Sequence, residues 1–232
     1  MNIAVILAGG KDPEFQMSIP KQFVSVNNKP IIVYTMQRFQ EHRDIDEIMV
    51  ICLEGWQEFV WSYAKQFNIS KLKSVIIGGD SGQKSIHNGL EHLVKECDSE
   101  DIIVLHDAIR PLVTEDIISQ SISVCKKKSM GIAAVSVRDT IMYTLDGNTG
   151  DKNIPRSEIV RIQTPQSFKL GRAWNISCAA IEAGIADEWE MSSIVTKLGE
   201  KVCFSKGADA NIKVSNVEDI ETFKALSAID SN

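Results

Sequence analysis

The fold class that this sequence predicts is α/β: a Rossmann-like, doubly wound, mostly parallel sheet. Three observations carry that prediction. Apolar, β-branched runs alternate with segments of helical period as far as Val137. The runs are apolar at consecutive positions, as suits strands covered on both faces by helices. Two of them empty into glycine turns, the kind of loop that lies beyond the carboxyl ends of strands, where such folds bind ligands.

The predicted strands are Ile3–Leu7, Glu47–Cys52, Ser74–Gly78, Ile102–Leu105 and Gly131–Val137, with helices between them at about 30–41, 54–67, 83–96 and 114–127. Pro30 suits the first position of its helix, where a missing N–H costs nothing. After Val137 the rhythm changes. Thr140–Thr144 and Glu158–Ile162 flank a polar stretch with an Asp146-Gly147 turn, which predicts a hairpin arm over about 140–162. An isolated hairpin is marginal in water, so the arm is expected to make a homodimer contact. Helices follow at about 170–184 and 188–198, then a strand near 201–204. Ser215-Asn216-Val217-Glu218 reads as a capping box opening a last helix. No repeat or linker divides the chain, and one domain over 1–232 is expected.

Composition narrows the function. The net charge is −6, which argues against nucleic acid or an anionic membrane as partner. No apolar run approaches the roughly 20 residues that span a bilayer, and Met1-Asn2-Ile3 leads into a strand without a signal-peptide pattern. Five scattered cysteines form no C-x-x-C pair, which favours a reducing cytoplasm over a disulfide or zinc framework. The one dense basic run, Lys126-Lys127-Lys128, falls at a helix end, where cations meet the dipole favourably.

The chemistry-bearing residues cluster at strand ends. The first strand ends in Ala8-Gly9-Gly10, and Pro20-Lys21-Gln22 follows. Glycines without Cβ atoms let phosphates approach backbone N–H groups, and Lys21 offers a cation. Gly78-Gly79-Asp80-Ser81 precedes a helix with Ser85 in its first turn, either a phosphate or base contact or a turn capped by Asp80 or Ser81. His106-Asp107-Ala108-Ile109-Arg110-Pro111 ends the fourth strand. Asp107 there suits a hard divalent cation or a local pair with Arg110, and His106 suits either packing or catalysis. Arg156 and the Gln163-Thr164-Pro165-Gln166 stretch lie at the base of the arm, and Lys213 sits near a late strand end. So many cations on ligand-side loops of an acidic chain imply a polyanionic ligand. Neither a P-loop nor a Gly-x-Gly-x-x-Gly fingerprint is present, which lowers the ATPase and NAD readings.

Taken in order, Ala8-Gly9-Gly10, Pro20-Lys21-Gln22, Gly78-Gly79-Asp80, His106–Pro111, Val137–Thr140, Gln163–Gln166 and Asn211–Val214 resemble the cytidylyltransferase family that includes the 2-C-methyl-D-erythritol 4-phosphate and ribitol-5-phosphate enzymes. The resemblance spans almost the whole chain. It implies a CTP-dependent transfer of CMP to a small polyol phosphate, with Mg²⁺ as cofactor and a homodimer as assembly. Residue by residue, it implies that Lys21, Lys213 and Arg156 serve catalysis. Ala8, Gly9, Gly10, Lys11, Gly79, Asp80, Ser85, Asp107 and Ala108 would meet the nucleotide, with Asp107 on the metal. Arg110, Thr140, Arg156 and Thr164 would meet the acceptor, Arg156 and Thr164 from the partner subunit.

The chain departs from the family pattern in three places. The first loop lacks the usual arginine and carries Lys11 instead. Gly82 or Gln83 stands where an arginine is common. Asp187-Glu188-Trp189-Glu190-Met191-Ser192 stands where the usual Thr-Asp-Asp/Glu-Ala-Ser is expected. These departures keep an alternative open, a catalytically weakened or non-catalytic nucleotide-binding paralogue. A third reading is a sugar-1-phosphate nucleotidyltransferase using another nucleotide. Among acceptors, Ile-Leu-Ala-Gly-Gly and Thr-Pro-Gln-Ser-Phe favour the ribitol-phosphate branch.

Overall fold

Strand β1 (Asn2–Ala8) shows why its apolar run is unbroken. Ala4, Ile6 and Ala8 point into one core and Ile3 and Val5 into another, so a residue of either parity is withdrawn from water. The structure is a computed structural model that describes residues 1–10, 19–186 and 188–229. After β1 come a short hairpin, β2 (Ser25–Val26) and β3 (Lys29–Pro30), then α1 (Ile31–Glu41), β4 (Glu47–Cys52), α2 (Gln57–Gln66), β5 (Leu72–Ile77), α3 (Gly82–Leu93), β6 (Ile102–Asp107), α4 (Glu115–Lys128) and β7 (Met130–Ser136). The remaining elements are β8 (Ile141–Tyr143), β9 (Lys152–Ile154), β10 (Val160–Lys169), α5 (Leu170–Glu182), α6 (Met191–Lys197), β11 (Phe204–Lys206) and α7 (Val217–Ile229).

The main sheet has the order β11-β7-β10-β6-β1-β4-β5. Only β10 runs against its neighbours β6 and β7; the other six strands share one direction. Helices α1, α2 and α4 cover one face through Met36, Phe39, Val60 and Ile118. Helices α3, α5 and α6 cover the other through Ile86, Leu90, Ala173 and Ile194. The predicted doubly wound sandwich is therefore the observed fold. A third apolar cluster seats α7, with Phe223 fully buried near Ile31 and Val214.

Several local expectations shift. The arm's second strand is Lys152–Ile154, paired with Ile141–Tyr143. The expected partner segment instead enters the main sheet, where Val160 pairs with Ser136 and Ile162 with Ala134. The last helix is capped one residue later than expected. Asn216 Oδ1 accepts the Asp219 N–H at 2.8 Å, while the Asp219 carboxylate accepts the N–H groups of Ser215 and Asn216 at 2.7 and 3.0 Å. The predicted helix at 188–198 contracts to α6, and the late strand moves from 201–204 to β11. Lys126–Lys128 close α4 as exposed residues, as expected of a run meeting the helix dipole.

Candidate active site

Beyond the carboxyl ends of β1, β4 and β6 lies a cavity of about 340 Å³. Among the described residues, Ala8, Gly9, Gly10, Lys21, Ser85, Asp107 and Lys213 line it together with Leu7, Ile51, Gly82 and Trp189. A second cleft, about 750 Å³, adjoins it across Gly9 and Trp189 and includes Gly79 and Asp80.

The turn that carries Lys21 is anchored on both sides. Gln22 is buried and donates to the Ala8 carbonyl at 2.6 Å, tying the lysine turn to the glycine loop. Phe23 stacks on Trp56 with ring centroids 4.1 Å apart. Side chains flanking Lys21 thus anchor the turn that carries it. Across the loop, Ser85 Oγ accepts the Gly79 N–H at 3.0 Å and donates to the Ser81 carbonyl at 2.9 Å. Ser81 caps α3 by accepting the Lys84 N–H, one of the two capping assignments expected.

Asp107 is the electrostatic centre. Its Oδ2 accepts Arg110 Nε at 2.9 Å and lies 3.3 Å from Lys213 Nζ. Burial opposes its charge, yet Lys213 and Arg110 prevail and hold the carboxyl below its ordinary range, so it is ionised at neutral pH. The loop that delivers Lys213 is stitched down. Arg110 Nη1 donates to the Asn211 carbonyl at 2.9 Å, and the Val214 N–H donates to the Ile109 carbonyl at 2.8 Å. Fully buried Asn211 in turn donates to the Thr164 carbonyl, and Gln163 donates to Ala208 and Asn211. The ladder between β10 and β7 is interrupted between Ile162 and Gln166, which releases Gln163 and Thr164 for these contacts.

The expected site residues therefore divide. Ala8, Gly9, Gly10, Lys21, Ser85, Asp107 and Lys213 share the cavity, with Gly79 and Asp80 in the adjoining cleft. Arg110, Thr164 and Ala108 lie beneath it, all less than 8 % exposed. Thr164 Oγ1 accepts the N–H of Asp107 in its own chain at 3.0 Å. The backbone of Ala108 is bonded to Leu7 and Thr35. Thr140 and Arg156 stand on the exposed arm, outside both cavities; Arg156 donates to the Arg138 carbonyl at 2.5 Å. Lys11 lies outside the described residues. His106 is packed, fully buried and pushed down to about 4 by desolvation, with Nε2 against the Arg110 carbonyl at 3.1 Å.

Sequence reasoning missed a second carboxylate. Glu190 accepts Gln166 Nε2 at 3.0 Å beside Ser192, and burial together with nearby Asp107 raises its pKa. Its signals in the chain were its place before a helix and within the segment, ending at Ser192, that departs from the family pattern.

No group of three metal-ligating side chains exists among the described residues. Among the described residues that line the cavity, Asp107 is the one carboxylate, and beside the cations there its chemistry suits a hard divalent cation of the kind held by one or two carboxylates plus substrate phosphates and water.

The profile of a family described as "IspD: 2-C-methyl-D-erythritol 4-phosphate cytidylyltransferase" matches residues 2–227. The chain is 38 % identical over 227 residues to a ribitol-5-phosphate cytidylyltransferase of Lacticaseibacillus paracasei, covering 97 % of each. It is 31 % identical to a 2-C-methyl-D-erythritol 4-phosphate cytidylyltransferase of Clostridium botulinum, covering 94 % of each. Among solved structures, the Francisella tularensis 2-C-methyl-D-erythritol 4-phosphate cytidylyltransferase superposes with TM-score 0.79 at 26 % identity, covering 96 % of this chain and 98 % of that one. The Anaerococcus prevotii 4-diphosphocytidyl-2C-methyl-D-erythritol synthase reaches TM-score 0.83 at 20 % identity, covering 98 % and 96 %, which speaks for the fold alone.

Proposed function

The chain belongs to the 2-C-methyl-D-erythritol 4-phosphate cytidylyltransferase family, and on that premise we propose that it transfers CMP from CTP to ribitol 5-phosphate with release of pyrophosphate. The observation that carries this reading is the ionised Asp107, braced by Arg110 and Lys213, in the same cavity as Lys21 and the Gly9-Gly10 loop. The choice of ribitol over methylerythritol phosphate rests on the higher identity to the ribitol-5-phosphate relatives.

In this reaction an oxygen of the acceptor's phosphate attacks the α-phosphorus of CTP. A new P–O bond forms, and the bond to the bridging oxygen of pyrophosphate breaks. The nucleophile is already anionic, so the protein's task is to place two mutually repelling anions and to stabilise the charge that develops between them. Lys21 and Lys213 supply fixed cations for that charge. Asp107 would hold Mg²⁺, which when bound neutralises triphosphate charge. Arg110 keeps the Asp107 carboxylate oriented, and Gln22 keeps the lysine turn against the glycine loop.

The arm completes the proposal. Met142, Tyr143 and Leu145 are exposed on it, Leu145 at 89 %. Apolar side chains of this kind suit a homodimer contact that would bring Thr140 and Arg156 to the partner's acceptor phosphate. The five cysteines are all free thiols, in keeping with a reducing cytoplasm, and no helix among the described residues is long and apolar enough to cross a membrane.

The test is pyrophosphate release from CTP with Mg²⁺ across ribitol 5-phosphate, 2-C-methyl-D-erythritol 4-phosphate and other polyol phosphates. Turnover fastest with ribitol 5-phosphate is the expected result. Faster turnover with another acceptor would overturn the assignment of ribitol, and CTP binding without turnover on any acceptor would overturn the enzyme reading.

A further inference from the structure

We propose that Trp189 forms an aromatic wall for the nucleobase, a role created by its contact with Gly82; the proposal rests on the CTP reading above. Two segments in which this chain departs from the family pattern meet at this point. A Cβ added to Gly82 would stand 2.6 Å from Trp189 Cε3 and 3.1 Å from both Cδ2 and Cα. Only glycine in the first turn of α3 lets the indole lie there. Trp189 is left 61 % exposed, and it borders both the cavity and the adjoining cleft. A tryptophan held against a helix yet open on its outer side has the form of a stacking surface.

The layout of the sheet says which part of a nucleotide would meet it. Asp107 and its partner Lys213 belong to the β6 end of the cavity. Ile51 belongs to β4, and β1 lies between the two. Two strand spacings separate them, about 10 Å, which suits the distance from a nucleoside's phosphates to its base. Around Ile51 the lining changes character. Ile51 and Ser85 both flank Gly78, and Gly82 with Trp189 continues the same wall. The β6 end is charged and suits phosphates. The β4–α3 end is apolar, with the Ser85 hydroxyl set in it, and suits the flat face and polar edge of a pyrimidine.

The chain has four tryptophans, so the test combines calorimetry with fluorescence. Wild type, Trp189→Phe, Trp189→Ala and Gly82→Ala are titrated with CTP and, separately, with inorganic tripolyphosphate, after thermal melts confirm folding. Wild-type emission should change on CTP addition, and Trp189→Phe should lose most of that change while binding CTP within about threefold of wild type. Trp189→Ala should weaken CTP about 5- to 150-fold, the range that base–aromatic stacking carries, and leave tripolyphosphate within about twofold. Gly82→Ala, by displacing the ring, should weaken CTP in the same sense. CTP affinity unchanged in Trp189→Ala, or CTP and tripolyphosphate weakened equally, would overturn the role of Trp189 alone. Wild type that binds tripolyphosphate but not CTP would overturn the CTP reading itself.

Discussion

Asp107 and Asp146 are both aspartates held below the ordinary carboxylate range, and they reach that state by opposite routes. Asp107 is mostly buried, and burial works against its charge until Lys213 and Arg110 outweigh it. Asp146 stands in water on the arm, where the N–H groups of Thr149 and Asn148 and the hydroxyls of Thr149 and Thr144 hold its carboxylate. The arginines divide the same way. Arg110 is 7 % exposed and spans Asp107 and the Asn211 carbonyl, whereas exposed Arg156 meets the Arg138 carbonyl. At the β6 end, removing one partner leaves another buried and unsatisfied, so positions are rigid and expensive to disturb. On the arm, water replaces any lost partner. Such a region can carry a residue to a second subunit without contributing to the stability of its own.

That contrast sets the scale of what substitutions should do. Lys21→Ala should lower kcat by about 10²–10³, the usual loss for one preorganised charge-stabilising donor. The melting temperature should stay near wild type, since the Gln22 bond to Ala8 and the Phe23 stack on Trp56 anchor the turn; steady-state pyrophosphate release reads the first and calorimetry the second. Wild-type turnover would remove Lys21 from the mechanism. On the arm, Arg156→Ala should raise KM for the phosphorylated acceptor about tenfold, a loss of about 1.4 kcal/mol, with kcat and stability little changed. An unchanged KM would reduce the arm to assembly.

The buried side also predicts a pH dependence. His42 is 2 % exposed, and its Nδ1 accepts the Asp44 N–H at 3.1 Å, a bond that requires the neutral ring. Desolvation lowers its pKa in the fold. The unfolded chain therefore takes up this proton first as pH falls through about 6.5, and stability declines below that point by at most about 1.4 kcal/mol per unit from this group. His42→Gln should flatten that part of a stability–pH curve measured by urea unfolding; an unaltered slope would show that His42 titrates alike in both states. The smallest effect belongs to the arm. Leu145→Ser should change unfolding stability by no more than about 0.5 kcal/mol while weakening self-association in sedimentation experiments, and an unweakened dimer would place the contact elsewhere.

Legibility in the sequence followed the same division. The parallel strands were readable because a strand buried on both faces must be apolar at consecutive positions, as Ile3–Ala8 of β1, Ile48–Cys52 of β4 and Ile102–Leu105 of β6 are. The glycine turns were readable because they interrupt those runs. The arm was misread in its second strand because Lys152-Asn153-Ile154 is polar and carries no alternation, while Val160-Arg161-Ile162 carries a good one and belongs to the main sheet. Periodicity reports that a segment is extended; it does not report its partner. The shift of the last cap from Ser215 to Asn216 is of the same kind, since either residue has a side-chain oxygen to offer.

By itself, then, the sequence determined the class of fold, the strand ends beyond which the cavity lies and the charged residues described in its lining, because continuous burial and glycine turns leave local marks. Only the tertiary structure decided which residues lie beneath the site, with Thr164 under the chain's own Asp107 and Asn211 clasped by Arg110 and Gln163. It alone brought Trp189 onto Gly82. These are contacts between residues distant in the chain, set by strand order and by the register break in β10, and neither leaves a local pattern to read.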